Sequence, residues 1–153
     1  MFENIKKIKT SYLFIIVLAI QICIALVFNL LKFNFGNQSD LNEIPFIHKL
    51  LLIIVFAPFF ETIIFNISII AILKSILKNK LVIIILASLI FSLFHIYSLP
   101  YVIMTFLGGI FLNTFYLLTK EKKGILISGI LTFFIHSIYN LIGFILIEVF
   151  NVL

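Results

Sequence analysis

The sequence has one cysteine, Cys23, so no disulfide can form within the chain. Arginine is missing altogether, and all 11 basic residues are lysine. Charged residues of both signs make up 11% of the 153, where a soluble domain carries about 25%. So little charge cannot cover the surface of a soluble domain of this size. Disorder is excluded for the opposite reason, because 63% of the residues are hydrophobic and the mean hydropathy is +1.31. What remains is an integral membrane protein whose few polar residues must carry any chemistry. The net charge of +5 does not point to nucleic acid, because the lysines form short clusters between long apolar runs.

A membrane crossing needs about 20 mainly apolar residues. Five stretches qualify: Ser11–Leu31, Leu50–Leu73, Leu81–Leu99, Tyr101–Thr119 and Ile125–Phe150. No stretch alternates with a period of two, which argues against a β-barrel. The expected fold is all-α, a multi-pass transmembrane helical bundle of about five spans. Residues 1–44 hold the first span and an outer polar loop, and residues 45–153 form the main membrane domain. Pro100 separates the third and fourth spans with almost no loop. The first span begins after a basic stretch but is too long for a signal peptide and lacks a good cleavage site, so it is expected to stay uncleaved.

The lysines set an orientation. Lys6, Lys7, Lys9, Lys74, Lys78, Lys80, Lys120, Lys122 and Lys123 fall on one side of a five-span bundle, and only Lys32 and Lys49 fall on the other. The positive-inside rule makes the nine-lysine side cytoplasmic, with the N-terminus inside and the C-terminus outside. The expected location is the cell membrane.

Of the six acidic residues, Glu3, Asp40, Glu43 and Glu121 lie in loops or the N-terminal tail, and Glu148 is near a span end. Glu61 alone sits mid-span, where a carboxylate costs roughly 2.5–3.5 kcal/mol to insert. Two of the three histidines, His95 and His136, are also intramembrane, while His48 adjoins Lys49 at a boundary. Counted from the nearest cytoplasmic lysines, Glu61, His95 and His136 are all roughly 20–22 Å deep at 1.5 Å rise per residue. Asn140 follows His136 by one helical turn, and Phe91 precedes His95 by one. A layer of Glu, two His and Asn inside an apolar shell has the pattern of an active or ligand site.

Such a layer suits hydrolysis. A buried carboxylate tuned by imidazoles can act as general base on water, and His and Asn can donate to a developing oxyanion. Ser137 is next to His136 but faces elsewhere, and Ser92 is three residues before His95, which leaves a serine mechanism weakly open. Zinc held by Glu61, His95 and His136 is the other option, since two His and one Glu are a common catalytic set. The three residues do not follow the H-E-x-x-H spacing, however.

At these residues the chain resembles the CPBP family of intramembrane proteases, also called the Abi or CAAX-protease-like family. The first family motif, E-E-x-x-x-R after Ala-Pro, reads here Ala57-Pro58-Phe59-Phe60-Glu61-Thr62-Ile63-Ile64-Phe65-Asn66. The second, F-x-x-x-H, is Phe91 to His95, and the third, H-x-x-x-N, is His136 to Asn140. The likeness covers roughly Pro45 to Gly143. It implies Glu61 as the base that activates water, His95 helping to hold that water, and His136 with Asn140 as the oxyanion site. Phe91 and Asn66 are the expected substrate contacts. The family has been described both as metalloproteases and as glutamic proteases, and the Glu/Asn composition here fits the metal-free form better. The implied substrate is a membrane-associated peptide or protein, and a second copy or a partner subunit is expected to complete so short a chain. Thr62 and Asn66 depart from the motif, replacing its second Glu and its Arg.

Two further readings compete. One is a catalytically silent relative that binds peptides or partner proteins, as an immunity or accessory factor does. The other is a small transporter subunit using Glu61 as a proton site. Thr105, Gly109 and Asn113 recur every four residues, as do Gly124 and Ser128, and both series are expected to be close-packing helix faces.

Overall fold

The computed structural model describes residues 5–33 and 44–148, with side chains as far as Leu146. The described residues are helical apart from short turns, with no strand among them. Helix α1 is Thr10–Leu30 and α2 is Phe46–Ile76. Helix α3 is Lys80–Leu93. The stretch Leu99–Glu148 is helical throughout except at Gly124, whose φ of 80° and ψ of 176° divide it into α4 (residues 99–123) and α5 (residues 125–148). The end of the fifth predicted span, beyond residue 148, lies outside the described residues, as do Glu3, Asp40 and Glu43 and the side chain of Glu148.

Three helical stretches are long and apolar enough to cross a membrane: Thr10–Leu30, Phe46–Ile76 and Leu99–Leu146, the last containing the Gly124 break. The third predicted span is shorter than expected. Helix α3 has 14 residues, which at 1.5 Å each reach about 21 Å of a hydrocarbon core about 30 Å thick. Residues 94–98 continue it as irregular turns. Helix length alone therefore does not establish five crossings.

Local chemistry explains the helix ends. The Asn79 side chain accepts from the backbone N–H groups of Leu81 (2.9 Å) and Val82 (3.4 Å), which caps α3. The start of α4 is held by Ser98, whose carbonyl accepts from Val102 N–H (3.0 Å) and whose hydroxyl accepts from Tyr101 N–H (3.3 Å). A positive φ suits glycine, so Gly124 serves as the chain break. It is not part of a packing face, because a Cβ built there meets nothing within 4 Å.

Helix α4 is the centre of the bundle. On one side Leu112, Phe115 and Leu118 pack with Leu13 and Val17 of α1 and Ile135 of α5. On the other, Tyr116 and Leu117 pack with Ile70 of α2 and Ile83, Ile84 and Ala87 of α3. A helix buried on every side is apolar all round. The expected small-residue contact is present at Gly109, where a Cβ would lie 3.2 Å from Ser88 Cβ and 3.3 Å from Phe91 Cδ1. Small residues let helices approach closely where lipid removes any hydrophobic drive to associate. Outward-facing Ile, Leu and Phe side chains are abundant on the other helices, as a lipid-facing surface requires.

Candidate active site

Helix α2 carries Glu61, and Pro58 shapes it. Proline has no N–H to offer the preceding turn. Next to it, the Ala57 N–H bonds the carbonyl of Leu52, five residues back, in a π-helical turn at Leu52–Phe56. The Ile53 carbonyl therefore loses both possible backbone donors, Ala57 by diversion and Pro58 by chemistry. The Ile54 carbonyl loses its α-helical donor, which would also be Pro58. Helix α5 supplies replacements. Asn140 Nδ2 donates to Ile53 O at 3.0 Å, and Ser137 Oγ donates to Ile54 O at 2.5 Å. A second π-helical segment, Thr62–Ile69, follows Glu61 directly. Such π turns often occur at functional sites.

The layer expected from sequence depth comes together. Glu61 Oε2 lies 3.4 Å from His136 Nε2, and Glu61 Oε1 lies 3.7 Å from His95 Nε2. His95 is not in the helix, as its predicted span had it, but in the turn after Leu93. Its Nδ1 is 2.9 Å from the Phe91 carbonyl, so that nitrogen carries a proton and Nε2 faces the carboxylate. His136 is 7% exposed, and its Nδ1 is buried with no hydrogen-bond partner among the described residues.

Phe91 is 8% exposed. Its ring centroid is 4.5 Å from that of His95 and 6.1 Å from that of His136, so it packs against both imidazoles. Phe65 packs edge-on against Phe91 from α2 at 5.3 Å. Asn66 is 4% exposed and belongs to a hydrogen-bonded chain of side chains. Its Nδ2 donates to Asn113 Oδ1 at 2.6 Å, Asn113 Nδ2 donates to Ser88 Oγ at 3.0 Å, and Ser88 Oγ donates to the Ile84 carbonyl at 2.7 Å. This chain joins α2, α4 and α3. Thr62 is also buried, and its hydroxyl has no hydrogen-bond partner among the described residues.

Neither serine raised by the sequence is directed at a histidine. Ser92 Oγ donates to the Leu89 carbonyl at 2.9 Å, and Ser137 is committed to Ile54. Among the described residues no three His, Cys, Asp or Glu side chains converge as a metal site. The two imidazoles face opposite oxygens of Glu61.

Sequence reasoning missed Asn113, Ser88 and the Ser137 contact. A proline inside an apolar helix, with hydroxyl and amide side chains on another span, was the available signal for the last.

An all-helical membrane protein with a carboxylate held between two imidazoles is the class this fold and site define. The chain belongs to the family described as Type II CAAX prenyl endopeptidase Rce1-like, whose pattern matches residues 43–142 and so spans all three motifs. That is a protease family, and it agrees with the CAAX-protease-like resemblance. No curated protein and no solved structure matches the chain.

Proposed function

We propose that this protein is an intramembrane endopeptidase that hydrolyses a peptide bond with water activated by Glu61. The observation that carries the reading is the placement of one half-buried carboxylate 3.4 Å and 3.7 Å from two imidazole nitrogens in a member of a protease family. A gap of 3.7 Å is longer than a direct hydrogen bond and suits a bridging water. In the proposed reaction Glu61 takes a proton from that water as its oxygen attacks the peptide carbonyl. The oxyanion formed accepts hydrogen bonds from His136 and Asn140. Asn140 has one N–H engaged with Ile53 O, and the other N–H of the same amide serves this role. The C–N bond then breaks, and Glu61 returns its proton to the leaving nitrogen. Phe91 sets the angle of both imidazoles, and the Asn66–Asn113 bond fixes α2 against α4. No metal takes part in this scheme.

In the same reading the bundle crosses the cell membrane five times, α3 crossing together with its 94–98 link. Irregular backbone at that depth is tolerated where it lines a polar cavity. The nine-lysine end is cytoplasmic, the C-terminus is outside, and the substrate is a membrane-associated peptide or protein. A second copy of the chain or a partner subunit closes the site.

One observation favours the silent-relative reading. The positions of the motif's second Glu and Arg are held by Thr62 and by Asn66, whose amide is used up in a packing network. Purified protein in detergent, given a peptide library, separates the two. Cleavage by wild type that is lost in Glu61→Ala and His136→Ala supports the peptidase. Equal cleavage by all three contradicts it, and binding without cleavage selects the silent relative. About one zinc per chain, lost on His95→Ala, would establish a catalytic-type zinc site instead.

A further inference from the structure

At the lysine-rich end of the bundle, the start of α1 and the α4–α5 break enclose a cleft of ≈ 710 Å³. Its floor is apolar, made by Phe14, Ile15 and Leu131, and its rim is polar, made by Lys9, Lys123 and the hydroxyl residues Thr10 and Ser11. A second cleft of ≈ 420 Å³ shares Lys9, Thr10 and Lys123 and adds Lys6, Lys7 and Lys122. Five lysines from two distant parts of the sequence thus line these two clefts, and Lys9 and Lys123 line both.

The rims are fixed in place. Lys122 Nζ donates to the Ile8 carbonyl at 2.6 Å, tying the end of α4 to the residues before α1. Glu121, the acidic residue of this end among the described residues, is engaged by Lys80 at 2.6 Å and Lys6 at 3.0 Å. Lys7, Lys9 and Lys123 form no ion pair among the described residues. Ile15 is 62% exposed, so the floor opens sideways towards lipid.

We propose that this cleft binds an anionic phospholipid, its phosphate between Lys9 and Lys123 and one acyl chain along Phe14, Ile15 and Leu131. Charge complementarity selects an anion, and basic pockets between helices at a membrane surface bind anionic headgroups. The apolar floor selects a lipid over a free ion, since an inorganic phosphate would leave it unused. The proposal does not depend on the peptidase reading.

Native mass spectrometry of the delipidated full chain tests it, with phosphatidylglycerol and phosphatidylcholine of identical chains as probes. Phosphatidylglycerol is expected to bind in preference. Its binding should fall about fivefold in Lys123→Gln and about 25-fold in the Lys9→Gln/Lys123→Gln pair. Lys74→Gln/Lys78→Gln removes the same charge from the same end but outside the cleft, and should leave binding unchanged. Equal losses in both double variants would reduce the effect to a diffuse field and overturn the site. So would equal binding of the two lipids, or full displacement of phosphatidylglycerol by excess inorganic phosphate.

Discussion

The side-chain amide of Asn140 donates to the backbone carbonyl of Ile53 at 3.0 Å, two helices meeting where Pro58 has left that carbonyl without a backbone donor. One turn earlier, Ser137 does the same for Ile54. The helix that carries Glu61 is therefore held to the helix that carries His136 by bonds that exist because α2 is interrupted.

Removing the interruption should separate stability from activity. Pro58→Ala restores an N–H that competes with Asn140 and Ser137 for the freed carbonyls. Thermal stability is expected to rise, since an interior proline disfavours a helix by about 3 kcal/mol. Peptide cleavage is expected to fall by about tenfold or more, because small displacements of catalytic groups are expensive. A melting curve and a cleavage rate on the same preparation check both.

Ser137→Ala should destabilise the wild-type protein by about 1–3 kcal/mol, the usual effect of orphaning a buried acceptor. The same substitution in Pro58→Ala should be nearly silent, because Ile54 O then has its helical donor back. A double-mutant cycle measures this coupling directly.

Asn113 joins Asn66 to Ser88 across three helices. Asn113→Ala takes away the acceptor of the Asn66 amide, while Ser88 keeps its bond to the Ile84 carbonyl, and should lower stability by about 1–3 kcal/mol. Asn113→Ala combined with Asn66→Leu and Ser88→Ala should regain part of that loss. Denaturation of each variant in one detergent gives the comparison.

Glu121 gives a pH signature outside the spans. Its hydrogen bond to Lys80, then its contact with Lys6, hold its carboxyl below the ordinary value of 4.5, against a smaller opposing effect of burial. A depressed carboxylate contributes stability that is complete above the unfolded value and is lost as pH falls through the lower folded value. Wild-type stability should therefore decline below about pH 4.5 by more than that of Glu121→Gln, and added salt should shrink the difference. Equal acid profiles for the two proteins would count against the Lys6–Glu121–Lys80 contact.

The polar layer was legible in the sequence because ionisable residues inside a membrane are few. Glu61, His95 and His136 stood out by depth alone, and the structure brings both imidazoles within 3.7 Å of the Glu61 carboxylate. Their surroundings were less legible. The run from Leu81 to Leu99 is apolar throughout, so hydropathy does not mark the helix end at Leu93 that leaves His95 in a turn. The π segments around Glu61 shift the helical phase, so a 3.6-residue reading misplaces the faces of Thr62 and Asn66. Asn113 shared a spacing with Gly109, and only the rotation of α4 reveals that it bonds rather than merely packs. Gly124 shared a spacing with Ser128, yet its positive φ makes it the break between two helices.

The initial rate of peptide-bond cleavage by wild type and by Glu61→Gln, both shown to be folded by their melting curves, tests the central claim most directly. Glutamine keeps the shape of the side chain and removes the base, and loss of a general base lowers rates by about 10²–10⁴-fold. The account predicts a loss of that size with little change in melting temperature. Equal rates for the two proteins would contradict it.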